Sequence, residues 1–277
     1  NDKLGTDEDY CIYTDTDSVF YSALPLIKNE YPNADITDEK FMTEKILEKA
    51  EIVQDYINES YNLFAKRFLN CDKHRFDIKQ ECIAKSAFWV AKKRYGQWII
   101  NDGGVVCDKL DVKGLDIVRS NFPPAMRDLM TQVLKDILGS VDKDEIDEKI
   151  LDFKKSMKHR DLMEIAPPTG VRGLRKFADK RNKNGSIFTP MHKGTPVHVK
   201  AAWIYNDLLD YHKLNNVEKI KNSEKIKWVY LKDNSLNVKQ IAFKGYDDPS
   251  QIMKFIQENV DYDKLFEKAL FKKIKVF

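Results

Sequence analysis

The stretch Tyr13-Thr14-Asp15-Thr16-Asp17-Ser18 sets two carboxylates two residues apart, between Cys11-Ile12 and Val19-Phe20-Tyr21. The pattern reads as strand, tight turn, strand: a β-hairpin with acids at its tip. A strand places residues i and i+2 on one face, although a turn can twist that relation. Neighbouring carboxylates repel, so a fold that holds them together calls for a cation to neutralise them. Mg²⁺ takes oxygen ligands, commonly one or two carboxylates together with substrate phosphates. The plain alternative for a lone Asp-x-Asp in a loop is a solvated acidic turn.

A second motif stands 75 residues beyond Asp17, where Lys92-Lys93-Arg94-Tyr95-Gly96 follows the apolar run Phe88-Trp89-Val90-Ala91. Read alone, it fits a basic edge strand, since lysines on an edge discourage aggregation. The net charge of +3 conceals an asymmetry: residues 1–60 carry 15 Asp/Glu against 5 Lys/Arg, and residues 151–200 carry 12 Lys/Arg against 4 Asp/Glu. One end suits a metal or solvent, the other an anionic partner. Basic residues interleaved with aromatics are what binding to a phosphate backbone requires, and a solvated basic face is the other reading.

Taken in order, Tyr-x-Asp-Thr-Asp-Ser and then Lys-Lys-Arg-Tyr resemble family B DNA polymerases. The first is similar to the third polymerase motif of the palm, the second to the Lys-Lys-x-Tyr motif where palm meets thumb. The likeness continues through Gly114-Leu115-Asp116-Ile117-Val118-Arg119-Ser120 and Pro123-Pro124. It returns at Gly194-Thr195-Pro196-Val197-His198-Val199-Lys200-Ala201-Ala202, Tyr205-Asn206-Asp207-Leu208-Leu209 and Lys225 to Lys232. These later segments look most like the tailed-phage branch, and the likeness spans nearly the whole chain. Two earlier motifs of the family, one carrying a catalytic carboxylate and one gripping the incoming triphosphate, do not fit before Tyr13, nor does an exonuclease domain. The resemblance therefore implies the C-terminal part of a polymerase, from a partial sequence or a split gene.

The implied fold is α+β. Residues 1–111 would be the C-terminal part of the palm, with an antiparallel hairpin, a sheet and a long helix; residues 112–277 would be a mostly helical, DNA-binding thumb. The hairpin at 10–27 closes at Pro25. Asp38 caps a helix whose apolar residues recur at three-to-four spacing from Phe41 to Phe64, ending near Leu69. Strands are expected at 76–78, 81–83, 87–90, 95–100 and 105–106, with Asn101-Asp102-Gly103-Gly104 as a hairpin turn. Helices are expected over 126–138 and 146–157, with Pro123-Pro124 at the start of the first. An extended basic loop from Pro167 to Pro196 precedes a helix over 197–211. Two short strands around Asp233-Asn234-Ser235 and helices over 249–259 and 262–273 complete the chain.

The resemblance implies metal-dependent nucleotidyl transfer to a primer 3′ end on a DNA template. Two Mg²⁺ ions would activate the attacking 3′-oxygen and steady the leaving pyrophosphate. Asp17 is then the direct metal ligand and Asp15 a nearby carboxylate. Glu81, in the strand before Lys-Lys-Arg-Tyr, is the third candidate acid; an ordinary strand-face Glu is its alternative. Thr14 replaces the Gly most frequent in the family. Lys92, Lys93 and Arg94 would meet phosphates and minor-groove acceptors of the primer–template duplex, which occur on every base pair. Tyr95 would pack on the primer sugar–phosphate. Arg172, Arg175, Lys176, Lys180, Arg181 and Lys183 form the basic loop. His198 and Lys200 open a helix whose amides favour phosphate, although His198 also suits a helix-start hydrogen-bonder. For Trp89, Trp98, Trp203 and Trp228, core packing is the expectation.

The implied partners are primer–template DNA, dNTP and the N-terminal polymerase portion. Lys272 to Phe277 stops where relatives often continue to a clamp-docking tail, so the resemblance leaves a sliding clamp open as a partner. No apolar run is long enough to cross a bilayer, and no leader precedes the hairpin. Cys11, Cys71, Cys82 and Cys107 are scattered without a Cys-x-x-Cys pair, which argues against zinc or a disulfide framework and for reduced thiols in a cytoplasm, a bacterial host's if phage-encoded. Two rivals stand beside the polymerase: a non-catalytic DNA-binding subunit of a split enzyme, and a metal-dependent nuclease. The nuclease lacks a further His, Asp or Glu cluster and leaves Lys-Lys-Arg-Tyr unexplained.

Overall fold

The computed structural model describes residues 5–72, 74–178, 188, 191 and 193–277. The chain divides into two compact units, Asn1–Lys113 and Gly114–Phe277. The division falls two residues beyond the expected one because the last strand of the first unit runs through Lys113, paired with Tyr95. Gly114 follows at φ 65°, a conformation open to glycine without penalty. Both units mix helices with antiparallel strands, as the α+β reading expects.

In the first unit, β1 (Cys11–Asp15) and β2 (Ser18–Tyr21) form the hairpin. Pro25 does not close it; it sits in the first turn of a short helix, α1 (Leu24–Glu30), where its missing N–H costs nothing. The long helix α2 (Glu39–Phe68) starts where expected, with the Asp38 carboxylate accepting from Lys40 N and Phe41 N at 2.9 and 3.1 Å.

The expected strand at 76–78 is absent. The segment has no regular secondary structure, and no described strand pairs with it. Instead the Asn58 side chain on α2 accepts from Ile78 N (2.8 Å) and donates to Ile78 O (3.0 Å), and Gln54 accepts from Gln80 N (2.9 Å). Helix side chains thus satisfy backbone groups that a sheet would otherwise pair.

The next three strands, β3 (Cys82–Ala91), β4 (Arg94–Asp102) and β5 (Val105–Lys113), make an antiparallel meander in that order. The two pieces expected at 81–83 and 87–90 are one strand, its register shifting at Ile83/Ala84 and Ala84/Ser86. Such bulges interrupt the alternation that marks a strand in sequence. The Gly turn forms as expected: Asp102 pairs with Val105, and Gly103 and Gly104 have φ 59° and 87°.

The second unit holds α3 (Pro124–Leu138), α4 (Lys143–Ser156) and a short α5 (Leu162–Ile165). The stretch expected as an extended loop contains β6 (Pro168–Gly170) and α6 (Leu174–Ala178). Three residues are too few to show a period, and β6 exists because β7 (Lys225–Tyr230) lies beside it. After α7 (Val197–Tyr211), β7 pairs with β8 (Gln240–Phe243). The chain then runs through α8 (Ser250–Asn259) and α9 (Tyr262–Phe266), which continues by a π-turn into a last helical turn, Lys272–Ile274.

The core of the second unit lies between α7 and the β7–β8 pair, with Tyr205, Leu208, Leu209, Val229, Ile241 and Phe243 buried. Each such aliphatic side chain contributes about 1.5–3 kcal/mol on burial. All four cysteines are free thiols. Among the described residues no helix is long and apolar enough to cross a membrane.

Candidate metal and nucleic-acid site

Asp15 pairs with Ser18, so Thr16 and Asp17 form a two-residue turn. Thr16 takes φ 55°, and Asp17 N donates to Asp15 O at 2.6 Å. The Ser18 hydroxyl donates to the same carbonyl at 3.1 Å, and the Thr16 hydroxyl donates to Asp15 Oδ1 at 3.2 Å. These bonds fix a sharp tip. Asp15 ends the strand with its side chain 25% exposed. Asp17 stands exposed at the apex.

The second motif forms a turn of the same size. Ala91 pairs with Arg94, leaving Lys92 and Lys93 as the turn and Arg94-Tyr95 opening the central strand of the meander. The edge-strand reading of this motif therefore does not hold. Lys93 takes φ 60°. Both lysines are exposed, Arg94 and Tyr95 half-buried. Arg94 Nε is buried without a hydrogen-bond partner.

The two turns meet. Lys93 N donates to the Tyr13 hydroxyl at 3.0 Å, and that hydroxyl donates to Asp15 Oδ2 at 3.3 Å. The Lys93 ammonium lies 3.4 Å from the same oxygen. Behind the polar contacts four rings pack together. Phe20 lies 6.1 Å from Tyr13, 5.9 Å from Trp89 and 5.8 Å from Tyr95, centroid to centroid, and Tyr95 lies 6.0 Å from Tyr13. Trp89 is half-buried and packs against the Phe20 and Tyr95 rings.

The electrostatics follow from the contacts. Desolvation pushes the Asp15 carboxyl up, but the Lys93 charge and the hydrogen bonds from Lys93, Thr16 and Tyr13 together outweigh it and hold the carboxyl below its usual range. Burial, with the nearby Asp111 charge, pushes the Tyr95 phenol up, so it stays protonated at neutral pH.

Glu81 is not brought to these turns. It precedes the ten-residue β3, at the opposite end from Lys92, and its backbone carbonyl accepts from Gly103. Its carboxylate is exposed and acts electrostatically on the Cys82 thiol. The geometry gives it no part in an Asp15–Asp17 centre. Among the described residues no three His, Cys, Asp or Glu side chains cluster as a metal site would need. Asp15 and Asp17 offer the carboxylate oxygens that suit Mg²⁺, which completes its shell from water and phosphate. A full centre needs donors beyond these two.

In the second unit, Arg172, Arg175 and Lys176 are exposed on and before α6. The segment is anchored by Asn222, whose side-chain oxygen accepts from Gly173 N and Leu174 N, both at 3.0 Å. Lys180, Arg181 and Lys183 lie outside the described residues. His198 and Lys200 sit half-buried in the first turn of α7. Burial holds the His198 imidazole below its ordinary pKa, so at neutral pH it offers a hydrogen bond and no charge.

Two parts of the site were missed from sequence: the Tyr13 hydroxyl and the Phe20–Trp89–Tyr95 ring set. A signal existed, since Tyr13 lies two residues before Asp15 and so shares its strand face. What it would meet there depends on the pairing of two distant hairpins.

A scan against protein-family models finds no match for the chain. A search of curated proteins finds none either.

Proposed function

We propose that the chain is the C-terminal part of a DNA-directed DNA polymerase of the family B kind, with the first unit belonging to its palm and the second to its thumb. The observation that carries the reading is the meeting of the two turns. Motifs 75 residues apart bring Asp15 of the carboxylate turn and Lys93 of the lysine turn together, through the Tyr13 hydroxyl and a 3.4 Å ion pair. Neither a solvated acidic turn nor a basic edge strand accounts for that contact.

In this reading Asp17 and Asp15 hold a divalent cation, which when bound neutralises charge on the transferring phosphoryl group. The exposed Asp17 is free to ligate directly. Asp15, already shared with Lys93, Thr16 and Tyr13, acts beside it. The 3′-hydroxyl of the primer attacks the α-phosphorus of a dNTP and pyrophosphate leaves. The protein's work is positioning and charge, not covalent catalysis. Lys92, Lys93 and Arg94 grip the duplex close to its primer terminus, and Tyr95 backs them. Arg172, Arg175 and Lys176, with Lys200, contact phosphates of the duplex. His198 joins them as a neutral hydrogen-bonder. The remaining carboxylate and the triphosphate-gripping cations come from an N-terminal polymerase portion.

One observation favours a second reading for the isolated chain. With only two carboxylates at the turn and no larger ligand cluster among the described residues, it acts alone as a DNA-binding subunit. Both readings expect the purified chain to bind labelled primer–template duplex, with affinity falling steeply as salt rises. The polymerase reading further expects extension only once the N-terminal portion is supplied. Extension by the 277-residue chain alone would refute the claim that essential groups lie outside it. Absence of duplex binding would refute both.

A further inference from the structure

Tyr13 has no chemical role in the reading above, yet beside the Lys93–Asp15 ion pair it bridges the two turns. Its hydroxyl accepts from the Lys93 backbone N–H and donates to Asp15 Oδ2. Its ring is held by Phe20 and Tyr95. The ladder between β3 and β4 ends at the Ala91–Arg94 pair, so the Lys93 N–H has no strand partner. It lies in a turn whose residue is exposed and left-handed at φ 60°. Without Tyr13 that amide would face water, and nothing would fix the plane of the Lys92–Lys93 peptide. The hydroxyl uses its one proton on Asp15 and a lone pair on Lys93, so a single group orients both motifs.

We propose that Tyr13 is a positioning residue that locks the acidic turn to the lysine turn, so that Asp15 and Lys93 act as one unit. Its consequence for duplex binding rests on the polymerase reading; the lock itself does not. A rigid ring set carries the hydroxyl, and the hydroxyl sets where the Lys93 ammonium and the Asp15 carboxylate stand. Preorganisation of this kind is what a site built from two separate turns requires.

The test is Tyr13→Phe, which keeps the ring and removes the hydroxyl. Amide hydrogen exchange at Lys93 is read by NMR in parent and variant. Exchange is expected to quicken roughly three- to tenfold, the factor one hydrogen bond supplies, while the β3–β4 ladder amides stay protected. Ring-to-ring contacts of residue 13 with Phe20 and Tyr95 are expected to persist. Equal Lys93 exchange in parent and variant would overturn the lock. So would loss of the ring contacts, because the hydroxyl would then serve the ring cluster and not the turns.

A second arm measures primer–template affinity. Tyr13→Phe is expected to weaken it roughly three- to tenfold, and adding Lys93→Ala is expected to cost little more, because both changes remove the same unit. Additive losses would overturn the coupling. If the parent binds no duplex, the polymerase reading falls and the exchange experiment still decides the lock.

Discussion

Lys93 is where folding and function separate most cleanly, so Lys93→Ala and Lys93→Gly are the informative pair. The side chain is 65% exposed, and among the described residues its ion pair is to Asp15, with the ammonium end open to solvent. Pairs of that kind contribute little to stability, so the alanine variant should unfold at nearly the parent's denaturant midpoint. Glycine should do better. Lys93 sits at φ 60°, a region that costs a side-chain-bearing residue about 1–2 kcal/mol. Glycine's extra freedom in the unfolded chain returns about 0.4–1 kcal/mol of that gain. The net is a stabilisation of about 1 kcal/mol over alanine, read by urea denaturation.

Duplex binding should move the other way in both variants. One lost phosphate contact lowers the slope of log affinity against log salt by about 0.9. Between about 50 mM and about 200 mM salt the variant's disadvantage should therefore shrink roughly 3.5-fold, equally for several primer–template sequences. An unchanged slope would mean that Lys93 stays on Asp15 in the complex. A loss confined to some sequences would mean base readout. Either result would refute the duplex-tracking role.

In an assembly completed by the N-terminal portion, Asp17→Ala should abolish extension and leave duplex binding nearly intact, because the metal matters in the chemical step. Asp15→Ala should be milder in extension; wild-type extension by the Asp17 variant would remove that residue from the site. Tyr205 is fully buried, and its hydroxyl donates to Asp248, which also accepts from Lys244 N and Gly245 N. Tyr205→Phe should lower unfolding stability by about 1.5–3 kcal/mol in urea titration, the range for a bond to a charged acceptor; a change below about 0.5 kcal/mol would show that water replaces the hydroxyl.

The parts of the fold legible in sequence are those with a long period or a local cap. Helix α2 shows both, in its apolar spacing and in Asp38, and the Gly103-Gly104 turn shows its chemistry in two letters. What escaped depends on partners far along the chain. Residues 76–78 look like a strand, but the Asn58 side chain on α2 takes the Ile78 backbone groups instead of a neighbouring strand. Strand β6 is three residues long and exists through Lys225–Lys227. At the site, the residue types were readable in both motifs, while their contact was not. Nor was the separation of Glu81, because the strand between it and Lys92 is longer than its broken alternation suggests.

The three two-residue hairpin turns of the first unit make a comparison within one molecule. Such turns favour glycine or asparagine because they need positive φ. The turn between β4 and β5 follows that rule with Gly103 and Gly104. The other two break it. Thr16, β-branched and among the worst residues for the region, stands at φ 55°, and Lys93 at φ 60°. Both breaches fall in the two turns that touch. At Thr16 the hydroxyl bonds Asp15, which glycine could not do. At Lys93 the ammonium faces the same carboxylate. Where local turn preference is overridden at one point, packing elsewhere is a sufficient cause. Two overrides that converge on one carboxylate, while a neighbouring turn of the same length obeys the rule, mark a site whose side chains matter more than its backbone ease.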